Sequence, residues 1–234
     1  SDRYKNYIVF NENIVTNDFS WSTALSLSHY NDRWKNRDPD WKPAVYQSAH
    51  DPIRAIYSYV SDGLMQVGEK APAHQKSLLP GQIKLKDLNN DGKLNDYDKV
   101  LIGKNDPSLI FGLNNILKYK RFDLSFYFYG ELNRLMAGSY YENLARGGSN
   151  GNWIESGRNL SSGYVKRWSY KNQSSKYPTT IASDFGDGDY YYKKISYLRM
   201  RNIMLGYKVP ITPKIAQSLR LYIDINNPFI FTNW

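Results

Sequence analysis

The sequence predicts an all-β protein, and more narrowly a section of a large transmembrane antiparallel β-barrel with long extracellular loops. Apolar and polar residues alternate over segments of about ten residues, the length of a strand that crosses a bilayer at a tilt. Aromatic residues make up 15% of the chain, with 21 Tyr and six Trp, as in barrels with aromatic girdles. Short and long connections alternate between the predicted strands, as they do in outer-membrane barrels.

The first two strands are predicted at 4–10 and 19–30, and a polar, turn-like segment at 11–18 joins them. In the second strand, small residues alternate with an apolar series that consists of Phe19, Trp21, Thr23, Leu25 and Leu27. A strand of a soluble sandwich alternates in the same way, with its apolar face inward. The length of this strand favours the membrane-crossing interpretation.

A hairpin follows, with strands predicted at 108–119 and 122–133 and a tight turn at Lys120-Arg121. The return strand places large apolar residues on one face, namely Phe122, Leu124, Phe126 and Phe128. Its other face carries polar and tyrosine residues, namely Asp123, Ser125, Tyr127, Tyr129 and Glu131. This division suits lipid on one side of the strand and a wet lumen on the other.

The last two strands are predicted at 193–209 and 219–227, with a turn at 210–218 between them. Two apolar groups in the first of these strands differ in parity: Leu198 and Met200 in one, and Ile203, Leu205 and Tyr207 in the other. A β-bulge near Arg201-Asn202 would bring both groups to one face.

Two long segments, 31–106 and 134–192, separate the strand pairs and are predicted to be outer loops. They are irregular apart from a short strand at Ile53–Val60 and a short helix around Gly163–Trp168. The short turns then face the periplasm.

The segment 87–98 has the pattern of a twelve-residue calcium loop. Gly92 is at the position that needs a sharp turn, and Leu94 is expected to point inward. The predicted ligands, which include the Lys93 main-chain carbonyl, are Asp87, Asn89, Asp91, Lys93, Asn95 and Asp98. The last position of the pattern is normally a bidentate Glu, and Asp98 departs from it. An Asn/Asp/Gly-rich turn that binds no metal is the alternative.

Composition argues against several classes of protein. The net charge is +9, but Lys and Arg are scattered, so we interpret them as solvated surface and not as a nucleic-acid interface. With no Cys, the chain has no disulfides and no thiolate chemistry. It has only three His and neither a nucleophile elbow nor a Gly-rich phosphate loop, so we expect no enzyme activity.

Several stretches, in order, resemble the SusC/RagA family of TonB-dependent outer-membrane transporters. The resemblance covers most of the chain, and its stretches are Pro80–Asp98, Ile102-Gly103, Pro107–Asn114, Tyr119–Gly130, Arg167-Trp168, Tyr177-Pro178, Ser196–Pro210 and Leu219–Thr232. Each stretch is modest by itself, and their order and spacing make the resemblance specific. No residue matches the plug or the TonB-contacting box of that family.

The resemblance implies that residues 1–234 are an incomplete, C-terminal part of a 22-stranded barrel in the outer membrane of a Bacteroidetes-type envelope. It implies TonB-dependent import of glycans or oligopeptides, with a SusD-like surface lipoprotein as a lid, TonB acting through the part of the barrel protein that is missing here, and outer-membrane lipid around the barrel. It also implies cargo contacts from loop aromatics, for which the candidates are Trp153, Trp168, Tyr140, Tyr141, Tyr190 and Tyr191. Packing of the loops against one another is the alternative role of these rings. The alternative for the whole chain is a secreted, soluble β-sandwich that binds carbohydrate and uses calcium structurally.

Overall fold

The computed structural model describes residues 2–138, 156–160, 162–212 and 217–233. The chain divides into two compact units. The first, which we call the sheet unit, consists of residues 1–33, 106–134 and 194–234. The second, the loop unit, consists of residues 34–105 and 135–193. The two segments predicted to be separate outer loops therefore belong to one unit.

The sheet unit is built on a six-stranded sheet in the order β1-β2-β7-β8-β9-β10. In this order, the first three pairings and the last one are antiparallel. The strands are β1 (Asp2–Val15), β2 (Phe19–Arg33), β7 (Leu109–Tyr119), β8 (Phe122–Ala137), β9 (Tyr192–Val209) and β10 (Leu219–Thr232). All six match predicted strands, and five of them are longer than predicted. The two-residue turn at Lys120-Arg121 is confirmed.

The polar segment predicted as a turn at 11–18 is mostly strand, and this part of the prediction is wrong. Strand β1 continues to Val15, which pairs with Ser20. The turn is confined to residues 16–18, where the Thr16 N–H donates to the Phe19 carbonyl at 2.7 Å. Because β2 is long enough to pair with every residue of β1, polar composition does not end the strand.

The register of the sheet separates an apolar face from a polar face. One cross-strand row consists of Phe10, Leu25, Leu113 and Phe128, and another consists of Ile14, Trp21, Leu117 and Leu124. The row of Asn11, Ala24, Asn114 and Tyr127 lies on the opposite side. The alternation read from single strands therefore becomes two continuous surfaces once the strands pair.

In strand β9, odd-numbered residues face the polar side near Tyr197 and the apolar side near Tyr207. The bulge predicted near Arg201-Asn202 requires such a switch. The ring of Tyr197 lies 6.1 Å from the ring of Tyr129, on the polar face. The ring of Tyr207 lies 4.7 Å from the ring of Phe122, on the apolar face. Strand β8 pairs with β7 without a register shift, so Phe122 and Tyr129 lie on opposite faces. Since Tyr197 and Tyr207 would share a face in a regular strand, β9 contains a parity change between them.

Strand β10 is irregular at the same level and extends beyond its predicted end. Its pairing with β9 shifts between Asn226 and Phe229, and Asn227 has a φ of 51° in the left-handed region. Pro228 has no N–H to donate to a neighbouring strand. The Asn-Pro pair predicts the end of a strand, whereas pairing with β9 resumes after it and continues to Thr232.

The loop unit contains two small antiparallel sheets and a compact core. Strand β3 (Ala55–Tyr59) pairs with β6 (Lys99–Lys104), and β4 (Ser61–Leu64) pairs with β5 (Ile83–Leu85). Its core consists of Leu64, Ile83, Leu85, Leu94 and Trp168, with Tyr59, Tyr190 and Tyr191 packed against it. The expectation of largely structureless loops is therefore wrong, because the two segments bury each other's apolar side chains.

Helical structure is sparse in the described residues. An α-helix spans Ser162–Val165 and overlaps the short helix predicted around Gly163–Trp168, and 3-10 turns span Ala73–Gln75 and Asp96–Asp98. None of the helices in the described part of the chain has the length and apolar composition needed to cross a membrane.

Candidate functional site

The apolar face of the sheet presents large hydrophobic side chains at its surface. Phe122 is 53% exposed and Ile223 is 66% exposed, and Phe10, Leu205, Leu221, Ile225 and Phe231 are also exposed. Strand alternation accounts for their common direction, since odd residues of β10 and even residues of β8 share this side. An exposed apolar surface of this extent normally marks contact with a partner or with lipid.

The polar face carries a connected cluster of tyrosine and charged side chains. The Tyr129 hydroxyl donates to Glu131 Oε1 at 2.7 Å, and Arg134 Nε donates to Glu131 Oε2 at 2.8 Å. The ring of Tyr197 packs beside Tyr129. Glu131 is buried, and these charge-assisted contacts offset the cost of removing its carboxylate from water. Sequence analysis placed Tyr129 and Glu131 on this face but did not identify the cluster.

A second ion pair lies on the polar face near the short turns. Arg220 on β10 donates from Nε to Asp123 Oδ1 at 3.0 Å and from a terminal nitrogen to Asp123 Oδ2 at 2.5 Å. Since β9 lies between β8 and β10, this bidentate contact spans three strands. Asp123 and Tyr129 share a face of β8, so both charged groups of the sheet lie on its polar side.

The predicted calcium loop folds around its own carboxylate and amide oxygens. The Asp91 N–H donates to Asp87 Oδ1 at 3.2 Å and to Asn89 Oδ1 at 3.0 Å, so these two oxygens lie close together. The Asn89 amide donates to Asp91 Oδ2 at 3.0 Å, and the Asn95 amide approaches the same oxygen at 3.4 Å. The structure therefore brings together the side chains of four predicted ligands.

The fifth predicted side-chain ligand, Asp98, is directed at the main chain. Its carboxylate accepts from the Leu88 N–H at 2.8 Å and from the Asn95 N–H at 2.9 Å, and it is fully buried. Leu94 is buried in the core of the loop unit, as predicted. Asp98 thus closes the loop, and Leu94 attaches it to the core.

The hydrogen bonds of the loop favour the ionised form of Asp91. The Asn89 amide, and then the Lys93 N–H, hold the pKa of Asp91 below its usual range. Gly92 has a φ of 78°, which suits the sharp turn that the pattern needs. Within the described ranges, no three His, Cys, Asp or Glu side chains are grouped to hold a metal ion. Any cation here relies on amide and main-chain oxygens as well, and each bonded carboxylate oxygen keeps a second lone pair for it.

The aromatic residues predicted to contact cargo lie in different environments. Trp168 is 4% exposed, and its indole N–H donates to Gln66 Oε1 at 3.1 Å, so its assignment to the cargo surface is wrong. A Cβ on Gly81 would lie 2.3 Å from the Trp168 ring, which shows how closely the main chain approaches it. The rings of Tyr190 and Tyr191 pack edge to face at 5.4 Å against the same core. Tyr140, Tyr141 and Trp153 lie outside the described residues.

Sequence analysis missed a set of cation–aromatic contacts in the loop unit. The Arg37 guanidinium lies 4.4 Å from the ring centroid of Trp34 and 4.2 Å from that of Trp41. The Lys99 ammonium lies 5.3 Å from the rings of Tyr46 and Tyr59, and it pairs with Asp96 at 2.8 Å. A groove of about 550 Å³ runs beside this second set and is lined by Pro43, Ala44, Val45, Tyr59, Asn95, Asp96 and Tyr97. In the sequence, the spacing of Trp34, Arg37 and Trp41 could have indicated the first of these two sets of contacts.

A hydroxyl–carboxylate contact supports the same region. The Tyr57 hydroxyl donates to Asp51 Oδ2 at 2.5 Å, and the rings of Tyr57 and Tyr46 lie 5.2 Å apart. Burial, followed by the hydrogen bond to Asp51, raises the pKa of the Tyr57 hydroxyl. The hydroxyl therefore stays protonated and serves as a structural donor.

Comparison with known proteins identifies relatives along almost the whole chain, although no family model matches it. TonB-dependent receptor P3 of Formosa agariphila is 25% identical over 97% of this chain, and TonB-dependent receptor SusC of Bacteroides thetaiotaomicron is 27% identical over 94%. TonB-dependent receptor P26 of Formosa agariphila is 30% identical over 56% of it. The chain spans about a quarter of the length of the first two relatives, 24% and 22% respectively.

Solved structures have the same fold. A structure of the RagAB peptide transporter matches 99% of this chain with a TM-score of 0.70 at 14% identity. The match covers 26% of the transporter chain. The RagAB peptide importer in an open-open state matches with a TM-score of 0.71 at 12% identity, over 99% of this chain and 25% of that one. These matches confirm the predicted fold class, an all-β section of a large antiparallel barrel. Along almost its whole length the chain is thus similar to TonB-dependent receptors of the SusC/RagA type.

Proposed function

We propose that the receptor of which this chain is a section imports large nutrients, either glycans or oligopeptides, across the outer membrane in a TonB-dependent way. The observation that carries the proposal is the division of the six-stranded sheet into a continuous apolar face and a continuous polar face. A strand of a transmembrane barrel needs one face for lipid and one for the lumen. The relatives that are TonB-dependent receptors favour this function over a soluble carbohydrate-binding sandwich.

In this proposal the apolar face contacts the hydrocarbon of the outer membrane, and the polar face lines a wet interior. The Tyr129–Glu131–Arg134 cluster and the Asp123–Arg220 pair then lie along the cargo path, where charge is tolerated. The segments 31–106 and 134–192 lie outside the cell. The chain contributes binding surfaces and a passage, and no bond chemistry.

Two protein partners belong to the proposal. A SusD-like surface lipoprotein closes over the outer side, and TonB acts through parts of the receptor that this chain does not cover. The support for both is the relationship to SusC, and for an oligopeptide cargo it is the likeness to a structure described as a peptide transporter. Cargo contacts are proposed for Tyr140, Tyr141 and Trp153 and for the half-buried Tyr190 and Tyr191.

We test the import proposal on the full-length receptor in its native host. Deletion of the gene is expected to abolish growth on a glycan or an oligopeptide that supports the parent strain, and depletion of TonB is expected to have the same effect. Re-expression of the full-length receptor is the control. A receptor that is soluble without detergent, and whose gel mobility does not depend on heating, would contradict the proposal.

We also propose that segment 87–98 binds a structural calcium ion. The support is the clustering of the Asp87, Asn89, Asp91 and Asn95 side chains and the closure of the loop by Asp98. The Lys93 carbonyl, in the same turn, is the sixth proposed ligand. Titration calorimetry of the full-length receptor with calcium is expected to show a site that the D87N/D91N variant lacks. Asp96→Asn, a matched change in the same segment outside the predicted ligand set, is expected to keep it. Equal heats for the two variants would overturn the assignment.

A further inference from the structure

The loop unit holds one arginine, Arg37, against two indole rings. Its guanidinium carbon lies 4.4 Å from the ring centroid of Trp34 and 4.2 Å from that of Trp41. A guanidinium that stacks on aromatic faces keeps its N–H groups in its own plane, where they can still donate hydrogen bonds. The two rings therefore restrict the orientation of Arg37 without using its donors.

The donors of Arg37 are unused within the described residues. No ion pair joins it to a carboxylate of that part of the chain. Its Nε is buried and has no hydrogen-bond partner there. The residue is half-buried as a whole and Nε is its buried end, so the two terminal nitrogens are open to a ligand. An oriented guanidinium of this kind suits a carboxylate, which it can bind through two parallel hydrogen bonds.

The acidic residues around Arg37 are engaged elsewhere. Asp51 Oδ2 accepts from the Tyr57 hydroxyl and from a main-chain N–H, each at 2.5 Å. Burial and the hydrogen bond to Asp51 raise the pKa of Tyr57, and the charge of Arg37 opposes them, so the guanidinium lies near this pair. Asp38, the next residue in the chain, accepts from a main-chain N–H two residues on. An external carboxylate therefore meets a cation that is not yet paired.

A series of aromatic contacts connects the surroundings of Arg37 to the groove of about 550 Å³ in the same unit. The ring of Tyr57 lies 5.2 Å from the ring of Tyr46. The Lys99 ammonium lies 5.3 Å from the ring of Tyr46 and 5.3 Å from the ring of Tyr59, which lines the groove. Arg37 and the groove thus belong to one region of the loop unit.

The groove offers aromatic and polar surface with its cation already paired. Its wall at 43–45 begins two residues after Trp41, and the exposed ring of Tyr97 also lines it. Lys99 beside it pairs with Asp96 at 2.8 Å. Ring faces and neutral polar groups suit the C–H faces and hydroxyls of sugar rings, and the volume is within the range of ligand sites.

A peptide finds no free strand edge at Tyr59. Peptides often bind by adding a strand to an exposed sheet edge. Tyr59 already pairs with Lys99 of β6, and its carbonyl accepts from the Asp189 N–H at 2.9 Å. The Ser61 N–H donates to Asp189 Oδ1 at 2.7 Å, which engages the chain beyond it. A glycan, which binds through ring faces and hydroxyls, is therefore the favoured occupant.

We propose that Arg37 binds the carboxylate of a uronic acid in an acidic glycan, and that the neighbouring sugars extend into the groove against Tyr59 and Tyr97. The terminal nitrogens of Arg37 pair with the two carboxylate oxygens, and Trp34 and Trp41 hold the guanidinium plane. The inference rests on the proposed import function, and it names the class of cargo and the residue that selects it.

The first test compares acids with their esters on the unmodified full-length receptor in detergent. Calorimetry measures the binding of tetramers of galacturonate, glucuronate and mannuronate, and of the methyl ester of each, which has the same rings without the charge. At least one acid is expected to bind about 10- to 100-fold more tightly than its ester, the loss expected for a charged hydrogen-bonded pair. Equal affinity of acid and ester, or no binding of any of the three acids, would overturn the proposal.

The second test assigns the preference to Arg37. R37Q is expected to lose the 10- to 100-fold preference and to bind the ester as the parent does, and R37K is expected to be intermediate because it keeps the charge without the planar fork. R158Q, which removes an exposed arginine of the same unit, is the matched control. Equal acid affinity in R37Q and R158Q would contradict the assignment. The comparison of acid with ester in the parent needs no substitution, so it stands even where R37Q does not fold.

Two further outcomes separate the glycan from a peptide and this site from the import function. Tetraglutamate that binds in an Arg37-dependent way, while the uronates do not, would replace the glycan with an acidic peptide. A receptor whose deletion abolishes growth but which shows no acid preference loses only this inference. A receptor with an Arg37-dependent acid preference whose deletion leaves growth unchanged loses only the import proposal.

Discussion

The two units of this chain place their large apolar side chains in opposite ways. In the sheet unit, such residues stand on an exposed face, with Ile223 at 66% exposure. In the loop unit they turn inward, with Ile83 at 1% and Leu85 at 2%. The loop unit therefore follows the rule for a protein in water, and the sheet unit does not. In the proposed membrane location the two units meet different solvents, so each should respond differently to the same kind of substitution.

The largest expected effect is the loss of the buried indole in the loop unit. Trp168→Ala removes the largest side chain of that core and leaves the Gln66 amide without its donor. A change of this kind costs about 3–5 kcal/mol. Hydrogen exchange of the full-length receptor is expected to show lost protection in the loop unit while the sheet unit keeps its protection. Val165→Ala, an exposed change close in sequence, is the control. Equal loss in both variants would show that the loop unit has no core of its own.

Neighbouring residues of β7 test the two faces of the sheet directly. Leu113 lies in the central apolar row, and Asn114 lies on the polar face. Leu113→Lys is expected to cost about 2–4 kcal/mol, because in the proposed membrane location it places a charge on the lipid side near the middle of the strand. Asn114→Lys is expected to be nearly neutral. Urea unfolding of the receptor in lipid, followed by heat-dependent gel mobility, measures both. A larger cost for Asn114→Lys would invert the assigned faces.

The closure of the 87–98 loop tests whether the loop unit depends on polar contacts as well as on its core. Asp98→Asn replaces one acceptor oxygen with an NH₂ group that faces the Leu88 or Asn95 N–H. A buried donor left without an acceptor costs about 1–3 kcal/mol. Faster proteolysis within the loop, with protection elsewhere unchanged, is the expected result. Asp96→Asn is the matched control, and equal cleavage of the two variants would show that Asp98 does not close the loop.

The smallest effect is the response of the same loop to acid. The folded-state pKa of Asp91 is lowered by the Asn89 amide and then by the Lys93 N–H. Because the folded-state pKa is lowered, the stabilising contribution of the Asp91 carboxylate is fully present above its unfolded-state pKa, about 3.9. That contribution is lost as the pH falls through the folded-state pKa. Proteolysis of the loop by an acid-active protease is expected to increase over that range. Asp91→Asn is expected to remove the dependence, and an identical pH profile in the variant would exclude Asp91 as its source.

Much of the fold could be predicted because strand alternation is a local signal. The faces of β2 and β8 follow directly from residues two apart, and the parity of β9 even indicated the irregularity at Arg201-Asn202. The end of β10 was misplaced for the opposite reason. Asn227-Pro228 reads locally as a stop, but β9 offers further partners beyond it.

The candidate site was predicted only where its residues are close in sequence. The side chains of Asp87, Asn89, Asp91 and Asn95 gather within one loop, and Leu94 points inward as the pattern requires. Trp168 was misassigned because an aromatic residue in a long loop carries no local sign of burial. Its hydrogen-bond partner, Gln66, lies 102 residues away. The Tyr129–Glu131–Arg134 cluster was missed although its residues are close in sequence, because strand alternation does not show that Glu131 is buried.

By itself the sequence determined the strands, their apolar and polar faces, the Lys120-Arg121 turn and the oxygen-rich loop at 87–98. Each of these features depends on the chemistry of residues that are close together in the sequence. Only the tertiary structure decided that segments 34–105 and 135–193 form one unit with a shared core, and that Arg220 reaches Asp123 across β9. Those outcomes depend on contacts between distant segments, whose free energy comes from burial and pairing that no local pattern records.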